Sequence, residues 1–259
     1  MTNHYCDMQN ADVILTIGSN NVENHPVSSK WVQRALDNGA TWIVVDPRYT
    51  RSAEMADIYC PIRSGTDIAF YGGLFNYILE HDLWQHEYVL NYTNASYLLD
   101  EEYSFDVETG IFSGFDKDSA TYDAKTWHYQ VESTKEWDTS EGGAYAWAKA
   151  EGVPEFTPPT VEVPKRDMTL QDPMCVFQQM KKHYSRYDLD TVSATCGMDK
   201  ELLEKVYATY AATGAPDKSG TILYALGQTQ HTYGAQNCRS TGHPAASAGQ
   251  RRRGRRRRE

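Results

Sequence analysis

The sequence lacks the short cysteine motifs that hold iron–sulfur clusters, zinc ions or redox-active dithiols. Its five cysteines stand at positions 6, 60, 175, 196 and 238, and no two of them form a Cys-x-x-Cys pair. We therefore interpret them as dispersed structural thiols. The Gly-x-Gly-x-x-Gly fingerprint is also absent, which argues against a standard NAD site.

Long apolar segments are absent as well. No run approaches the roughly 18 residues that a membrane-spanning helix needs. The first residues, Met-Thr-Asn-His-Tyr-Cys-Asp, have neither the basic start nor the apolar centre of a signal peptide. The sequence therefore predicts no membrane-spanning helix and no export signal in this chain.

Basic residues are scarce except in one segment. The 259 residues include 25 Lys and Arg against 35 Asp and Glu, a formal net charge of −10. Seven of the arginines lie in residues 251–258, so residues 1–250 hold 18 basic and 34 acidic side chains. A body this acidic is not expected to bind nucleic acid in general. It can still bind an anionic ligand through local donors.

Alternating strand and helix patterns predict an α/β fold. Buried strands are expected at 11–18, 41–47, 57–62 and 220–227, and helices at 26–39, 66–82, 172–187 and 199–214. A strand, a helix and a strand within about 30 residues indicate a right-handed parallel βαβ unit. We therefore predict a Rossmann-like parallel sheet with helices on both faces, interrupted by a long irregular insertion.

Changes in this pattern divide the chain into three regions. Residues 1–94 and 171–240 are predicted to form one α/β domain that binds a dinucleotide cofactor. Residues 95–170 are acidic and rich in aromatic residues, lack regular periodicity and end in a Pro-rich stretch. They are predicted to form an insertion, of which residues 100–164 should be largely exposed, with their aromatic residues in a small cluster. Residues 241–259 form a basic tail whose sequence is not typical of a native folded segment.

The loop after the first strand, GSNNVENHP at residues 18–26, is rich in small and polar side chains. It lies at the carboxyl end of a predicted parallel strand, where such sheets bind ligands. It also leads into a helix N-terminus, where free backbone N–H groups favour phosphate. Gly18 permits close approach of the backbone, and Ser19, Asn20 and Asn21 add donors. The alternative is an ordinary polar loop between a strand and a helix.

Two further strand ends carry charged side chains. Asp46 can accept hydrogen bonds from ribose hydroxyls, or it can cap the following turn. Arg48 and Arg51 can bind phosphate or stack on a base. Asp67 begins a helix, where capping explains it, but its carboxylate also matches the adjacent N1–H and N2–H₂ donors of guanine. Three such loops on consecutive strand ends favour a nucleotide site.

The motifs GSNNVENHP, DPRYTR and PIRSGTD, in this order and spacing, resemble the molybdopterin-guanine-dinucleotide binding motifs of the molybdenum/tungsten oxidoreductase family. Longer stretches, MTNHYCDMQNADVILTIGSN, CPIRSGTDIAF, YTNAS and YALGQTQHTYGAQNCR, resemble the large (alpha) subunit of respiratory formate dehydrogenases. The resemblance covers about residues 1–94 and 165–240. It implies that this chain is an internal fragment of such a subunit.

The resemblance also implies which residues hold the cofactor. The loop at 18–26 would contact the pyrophosphate of one molybdopterin guanine dinucleotide, and Asp46 its ribose. Gly65 and Asp67 would frame its guanine, and the loop at 227–234 would approach the pterin end. The implied cofactor-binding residues are Gly18, Ser19, Asn20, Glu23, His25, Asp46, Arg48, Arg51, Gly65, Thr66, Asp67, Gly227, Gln230 and Gly234.

The implied parent enzyme oxidises formate to carbon dioxide at a molybdenum or tungsten centre and passes electrons to iron–sulfur clusters. Arg239 would be its catalytic arginine, which orients formate, although an arginine on a helix face is more often a surface residue. The family's metal ligand is a Cys or selenocysteine followed by His, and no Cys-His pair occurs here. No metal ligand is therefore assigned, and the 4Fe-4S cluster would lie upstream of Met1.

Partners and location follow from the same resemblance. It implies formate as substrate, an iron–sulfur electron-transfer subunit and a membrane cytochrome subunit, without nucleic acid. The parent enzyme would be periplasmic and would serve anaerobic respiration. Because a fold does not fix a substrate, a relative acting on nitrate or thiosulfate is an alternative. A stand-alone nucleotide-binding module with a basic interaction tail is the alternative from another class.

The basic tail itself is expected to result from a frameshift. Residues 250–258 can be encoded so that reading one base later gives Asn-Val-Gly-Val-Ala-Gly-Gly-Gly, and residues 242–249 can likewise yield an apolar, Leu-rich run. An apolar helix and a Gly-rich turn are what the family has after the arginine. The alternative is a basic arm for nucleic acid or acidic lipid.

Overall fold

The computed structural model describes residues 4–136 and 160–248. The chain divides into two compact units. We call Met1–Thr93 with Lys181–Glu259 the sheet unit, and Asn94–Met180 the insertion unit. Within the described ranges the strands are β1 (Val13–Ile17), β2 (Thr41–Val45), β3 (Ile58–Cys60), β4 (Phe115–Asp116), β5 (Thr121–Tyr122), β6 (Val131–Glu136), β7 (Thr160–Pro164) and β8 (Gly220–Tyr224).

The helices of the described ranges are mostly short. The α-helices are α1 (Asn21–Asn24), α2 (Pro26–Asp37), α3 (Arg51–Met55), α4 (Asp67–Glu80), α5 (His86–Tyr92), α6 (Val176–Tyr184), α7 (Leu189–Cys196), α8 (Lys200–Ala211), α9 (Leu226–Thr229), α10 (Gly234–Ser240) and α11 (Gly242–Ser247). The 3₁₀ helices are Tyr5–Asn10, Ala124–Trp127 and Ala212–Gly214.

The sheet unit is built on parallel strands in the order β3-β2-β1-β8. β1 pairs with β2 on one side and with β8 on the other, so that Ile14 lies opposite both Trp42 and Thr221. Because these strands run in the same direction, their carboxyl ends meet at one edge of the sheet. The predicted α/β fold with a parallel sheet is confirmed, and each predicted strand contains one of the four.

Helices cover both faces of this sheet. On one face, Ile14 and Trp42 pack with Val32 of α2 and Ala53 of α3. Helix α8 packs against β1 and β3, and Leu15, which alternates with Ile14 along β1, is also fully buried. Burial on both faces explains why the sequence of β1 is mostly a continuous apolar run and does not alternate between apolar and polar residues.

Helix α4 is enclosed along most of its length, and every residue from Phe70 to Leu79 is buried. Two glycines allow neighbouring side chains to approach it. At Gly73, a Cβ would lie 2.6 Å from the hydroxyl oxygen of Tyr207 on α8. The Tyr207 hydroxyl donates a hydrogen bond to the carbonyl of Phe70 at 2.6 Å. The start of α4 is therefore fixed against α8 by both packing and a hydrogen bond.

Substituting Tyr207 with Phe is expected to lower the free energy of unfolding by about 1 kcal/mol, because the variant loses this buried hydrogen bond. Tyr210 on the same helix is a matched control, since it is equally buried and its hydroxyl has no hydrogen-bond partner among the described residues. Tyr210→Phe is expected to be neutral or stabilising. Urea unfolding of both variants measures the difference, and a larger loss for Tyr210→Phe would contradict this account.

The described part of the insertion unit contains two antiparallel pairs, β4 with β5 and β6 with β7. Its aromatic rings contact one another. Phe112 lies 4.6 Å from Phe105 and 5.6 Å from Trp127 between ring centroids. Phe112 and Trp127 are nevertheless 38% and 40% exposed. Residues 137–159 of the predicted insertion lie outside the described residues.

The predicted basic tail is only partly described. Its residues 242–247 form α11, in which Pro244 and Ser247 are buried. The arginine-rich residues 249–259 lie outside the described part of the chain. Among the helices of the described ranges, none combines the length and the apolar character that crossing a membrane requires.

Candidate functional site

A cavity of about 470 Å³ lies at the edge where the four parallel strands end. Each strand end contributes to its lining: Gly18, Ser19, Asn20, Glu23 and Asn24 after β1; Val45, Asp46, Pro47 and Arg48 at and after the end of β2; Ile62, Ser64 and Asp67 after β3; and Ala225, Leu226, Gly227 and His231 after β8. Sites for small organic ligands are typically about 300–1,000 Å³. The cavity is therefore large enough for such a ligand.

The loops after β1 and β8 cross at two glycines. The amide of Gly227 donates a hydrogen bond to the carbonyl of Gly18 at 3.1 Å. A Cβ at Gly227 would lie 2.5 Å from that oxygen, and a Cβ at Gly18 would lie 2.9 Å from the carbonyl carbon of Gly227. Gly18 also has a φ of +59°, in the left-handed region that favours glycine. Both positions therefore require glycine, and the crossing joins two strand ends in one wall of the cavity.

Asn20 fixes the shape of the loop after β1. Its side-chain oxygen accepts hydrogen bonds from the backbone amide and the hydroxyl of Ser52, at 3.3 and 3.0 Å. The hydroxyl of Ser52, a fully buried residue of α3, accepts in turn from the amide of Val22 at 3.0 Å. The side-chain amide of Asn20 donates to Glu23. Asn20 thus lines the cavity, while its polar atoms hold the loop against α3.

Asp46 follows β2 directly and is partly buried. Its Oδ1 accepts a hydrogen bond from the amide of Arg48 at 2.9 Å. Burial raises the pKa of Asp46; the hydrogen bond and the positive charge of Arg48 lower that pKa, and the negative charge of Asp67 raises it. The net result is a raised pKa, so folding disfavours the ionised carboxylate.

Asp46→Asn is expected to raise the free energy of unfolding at neutral pH, because asparagine can still accept from the Arg48 amide but carries no charge. The wild-type carboxyl has a higher pKa in the folded than in the unfolded chain, so stability falls as pH rises through the folded pKa. The advantage of Asn should therefore shrink as pH falls. Urea unfolding at about pH 7 and about pH 4.5 measures both quantities; lower stability of the variant at neutral pH would contradict the assignment.

Asp67 begins α4, is 6% exposed and lines the cavity. Its Oδ1 accepts a hydrogen bond from Nε2 of Gln228 at 2.5 Å. Gln228 follows Gly227 in the chain and is fully buried. A carboxylate in this position can accept hydrogen bonds from a ligand with adjacent N–H donors.

The structure brings most of the predicted cofactor-binding residues together. Eight of them line the cavity: Gly18, Ser19, Asn20, Glu23, Asp46, Arg48, Asp67 and Gly227. The predicted residues outside the lining are His25, Arg51, Gly65, Thr66, Gln230, Gly234 and the predicted catalytic residue Arg239. Arg239 is exposed on α10, and its role toward a substrate stays a prediction.

Local contacts explain two of the positions outside the lining. The guanidinium of Arg51, in the first turn of α3, pairs with Glu54 at 2.9 Å, and both side chains are exposed. Gly65 has a φ of +85°, and a Cβ there would lie 2.6 Å from the hydroxyl of Tyr233. That hydroxyl donates to the Gly65 carbonyl at 2.8 Å. Gly65 therefore serves the packing of two loops that border the cavity.

Several residues that line the cavity were not assigned individually, although most of them lie within the motifs and loops that were predicted to bind the cofactor. Asn24, Ile62, Ser64, Leu226 and His231 also line the cavity. The position of His231 in the loop after the fourth strand was an available signal, because ligand sites gather at such strand ends. Gln228 carries no local signal, since the exposed Gln230 two residues later looks the same in the sequence.

The described residues contain no group of three or more His, Cys, Asp or Glu side chains that could hold a metal ion. The thiols of Cys60, Cys175 and Cys196 are free and buried. Burial raises the pKa of Cys60 to about 12, so that thiol stays neutral and unreactive. Buried free thiols of this kind are typical of structural positions.

Comparison with known proteins agrees with this arrangement. A family model described as molybdopterin oxidoreductase matches residues 1–83. The formate dehydrogenase subunit alpha of Megalodesulfovibrio gigas is 51% identical over 240 residues, which are 93% of this chain and 21% of that protein. The nitrate-inducible formate dehydrogenase major subunit of Escherichia coli is 45% identical over 241 residues, again 93% of this chain and 21% of that protein.

A solved structure agrees at the level of the fold. Acetylene hydratase from Pelobacter acetylenicus matches with a TM-score of 0.54 and 21% identity, over 93% of this chain and 22% of that chain. The chain spans about a fifth of the length of the curated relatives it matches. Residues 1–83 therefore match a molybdopterin oxidoreductase domain, and most of the chain is similar to a segment of the alpha subunit of formate dehydrogenases.

Proposed function

We propose that this chain is the part of a formate dehydrogenase alpha subunit that binds the guanosine end of a molybdopterin guanine dinucleotide. The whole protein would oxidise formate to carbon dioxide. The observation that carries the proposal is the cavity at the ends of β1, β2, β3 and β8. Its lining brings together three carboxylates, one guanidinium and the two glycines at which the loops after β1 and β8 cross. The relatives named as formate dehydrogenases support the substrate.

The residues that line the cavity fit a guanosine diphosphate group by their chemistry. The buried carboxylate of Asp67 matches N1–H and N2–H₂ of guanine, two adjacent donors, whereas adenine offers an acceptor beside its donor. Asp46 can accept from ribose hydroxyls. Gly18 and Gly227, where the loops after β1 and β8 cross, have no side chains to cover the backbone. Arg48 adds positive charge for phosphate oxygens. These residues would bind and orient the nucleotide end.

The cofactor, when bound, supplies two-electron redox chemistry at molybdenum or tungsten. We assign none of that chemistry to the described residues. Arg239 is proposed to orient formate, because a guanidinium can hold a carboxylate through two parallel hydrogen bonds. It lies on α10, which follows the loop that contributes Gly227 and His231 to the cavity.

Electron acceptors and location are part of the proposal. Electrons would pass to a 4Fe-4S cluster in the rest of the alpha subunit, then to an iron–sulfur subunit and a membrane cytochrome subunit. A relative from Nitratidesulfovibrio vulgaris, 46% identical, is named with cytochrome c-553, which supports a redox protein as partner. A periplasmic location and a role in anaerobic respiration are proposed on the same basis.

Formate-dependent reduction of a viologen dye tests the proposal. The full-length protein that contains this segment is expected to reduce the dye with formate and to contain molybdenum or tungsten by elemental analysis. The 259-residue chain alone is expected to be inactive even with the cofactor supplied, because it has no identified metal-ligand motif and would supply only part of the contacts that orient the metal end of the cofactor. Formate oxidation by the chain alone, or a full-length protein that reduces nitrate and ignores formate, would contradict the proposal.

A further inference from the structure

Gln228 is a buried residue whose side chain reaches the candidate base-binding carboxylate. Its side chain is fully buried, and its Nε2 lies 2.5 Å from Oδ1 of Asp67. The two residues are 161 positions apart in the sequence. One follows the glycine crossing after β8, and the other begins α4 after β3. This hydrogen bond therefore joins two of the strand-end segments that form the cavity.

Gln228 supplies the hydrogen bond that a buried carboxylate needs. Within residues 4–136 and 160–248, no other group donates a hydrogen bond to the side chain of Asp67. A buried ionised carboxylate without a donor is costly. A neutral amide satisfies it without cancelling its charge, whereas an arginine or lysine would form an ion pair and compete with the donors of a ligand.

Gln228 is itself held in place by its neighbours. Its backbone amide donates to the carbonyl of Ala225 at 3.0 Å. Its backbone carbonyl accepts from Nδ2 of Asn237 on α10 at 3.0 Å, and Asn237 is fully buried. The donor that reaches Asp67 is therefore fixed from both sides, by the end of β8 and by α10.

We propose that Gln228 is a positioning residue that sets the preference of the cavity for a purine with a 2-amino group. By donating to Oδ1, it fixes the rotamer of Asp67, so that the carboxylate presents its remaining acceptor capacity to N1–H and N2–H₂ of guanine. This inference rests on the proposed function, in which Asp67 recognises guanine. It assigns the selectivity to a residue that does not line the cavity.

Titration calorimetry with GDP and with inosine diphosphate, which lacks only the 2-amino group, tests the inference on the 259-residue chain. The wild-type chain is expected to prefer GDP by about tenfold or more, as expected for a hydrogen bond to a charged group. Gln228→Leu is expected to bring the ratio of the two affinities close to one. Gln33→Leu is the matched control and should leave the ratio unchanged, because Gln33 is exposed on α2, lies outside the cavity lining and donates its side-chain hydrogen bond to the exposed Asp37.

Moving the carboxylate to position 228 and the amide to position 67 distinguishes an effect on base selectivity from an effect on stability. Gln228→Glu alone places two carboxylates together and should lower the melting temperature. Adding Asp67→Asn restores an amide–carboxylate hydrogen bond with the charge moved to position 228, away from the cavity. The double variant should recover the melting temperature but lose the preference for GDP.

The outcomes separate the two proposals. If wild type prefers GDP and Gln228→Leu lowers both affinities by the same factor, the positioning role is wrong while the proposed function stands. If the double variant melts at the same temperature as Gln228→Glu, the contact between positions 67 and 228 does not act as described. A wild-type chain that binds GDP, inosine diphosphate and ADP equally would overturn both the proposed function and this inference.

Discussion

Alanine at position 18 is expected to remove measurable GDP binding and to lower the free energy of unfolding by about 2–5 kcal/mol. Two costs combine in this estimate. A left-handed backbone with a side chain costs about 1–2 kcal/mol, and overpacking of a close contact costs about 1–3 kcal/mol. At Gly18 the φ is +59°, and the added Cβ would lie 2.9 Å from the carbonyl carbon of Gly227. Because these neighbours are backbone atoms, the two loops must separate.

Gly39→Ala is the matched control for this substitution. Gly39 has a φ of +85°, but no atom would lie within 4 Å of an added Cβ. This variant therefore incurs only the conformational cost and should keep the cavity intact. Urea unfolding followed by circular dichroism and calorimetric titration with GDP measure the two variants. Equal losses of stability and binding in both would show that the glycine crossing has no special role.

In the full-length protein, Asp67→Ala is expected to weaken cofactor retention, whereas Arg239→Ala is expected to lower turnover. The loss of the Asp67 carboxylate leaves guanine donors unpaired, which costs about 1.5–3 kcal/mol and weakens cofactor retention by about 10- to 150-fold. Arg239→Ala should retain the cofactor but lower kcat with formate by about 100-fold or more, because substrate orientation is lost. Metal content and formate-dependent dye reduction, measured on both proteins, distinguish retention from turnover.

Gln33→Leu serves again as a control, since this exposed glutamine lies outside the cavity lining and should affect neither measurement. Full formate activity in the Arg239 variant would remove that arginine from the active site. An Asp67 variant with normal metal content would show that the carboxylate does not contribute to cofactor retention.

Much of this site follows from a single rule of parallel sheets. Gly18, Asp46 and Asp67 each follow a strand that the sequence marks by an apolar run, and parallel strands place their carboxyl ends at one edge. The structure places all three in the lining of one cavity. Strand positions were predictable because burial on both faces leaves a strong local signal.

Side-chain direction was less accessible to sequence reasoning. Arg51 was predicted to reach the cofactor together with Arg48. In the structure, Thr50 caps α3 by accepting from the amide of Ala53 at 3.2 Å, so Arg51 lies in the first helical turn and pairs with Glu54. A helix of five residues gives little periodicity to detect.

Long-range contacts account for the remaining omissions. The buried Gln228 is hydrogen-bonded to Asp67, which is 161 positions away in the sequence, and to Asn237 on α10. No local pattern encodes that pairing. By contrast, α7 could have been predicted, because Asp188 caps its start and Gly197 ends it with a φ of +66°.

The cavity at the strand ends is proposed to hold a guanosine diphosphate group. A crystal structure of the chain soaked or grown with GDP tests it most directly. We expect electron density for GDP with the guanine edge within hydrogen-bond distance of Asp67, the ribose hydroxyls at Asp46 and the phosphates against the loop at residues 18–26. GDP bound elsewhere, or bound in the cavity with its base away from Asp67, would contradict the claim.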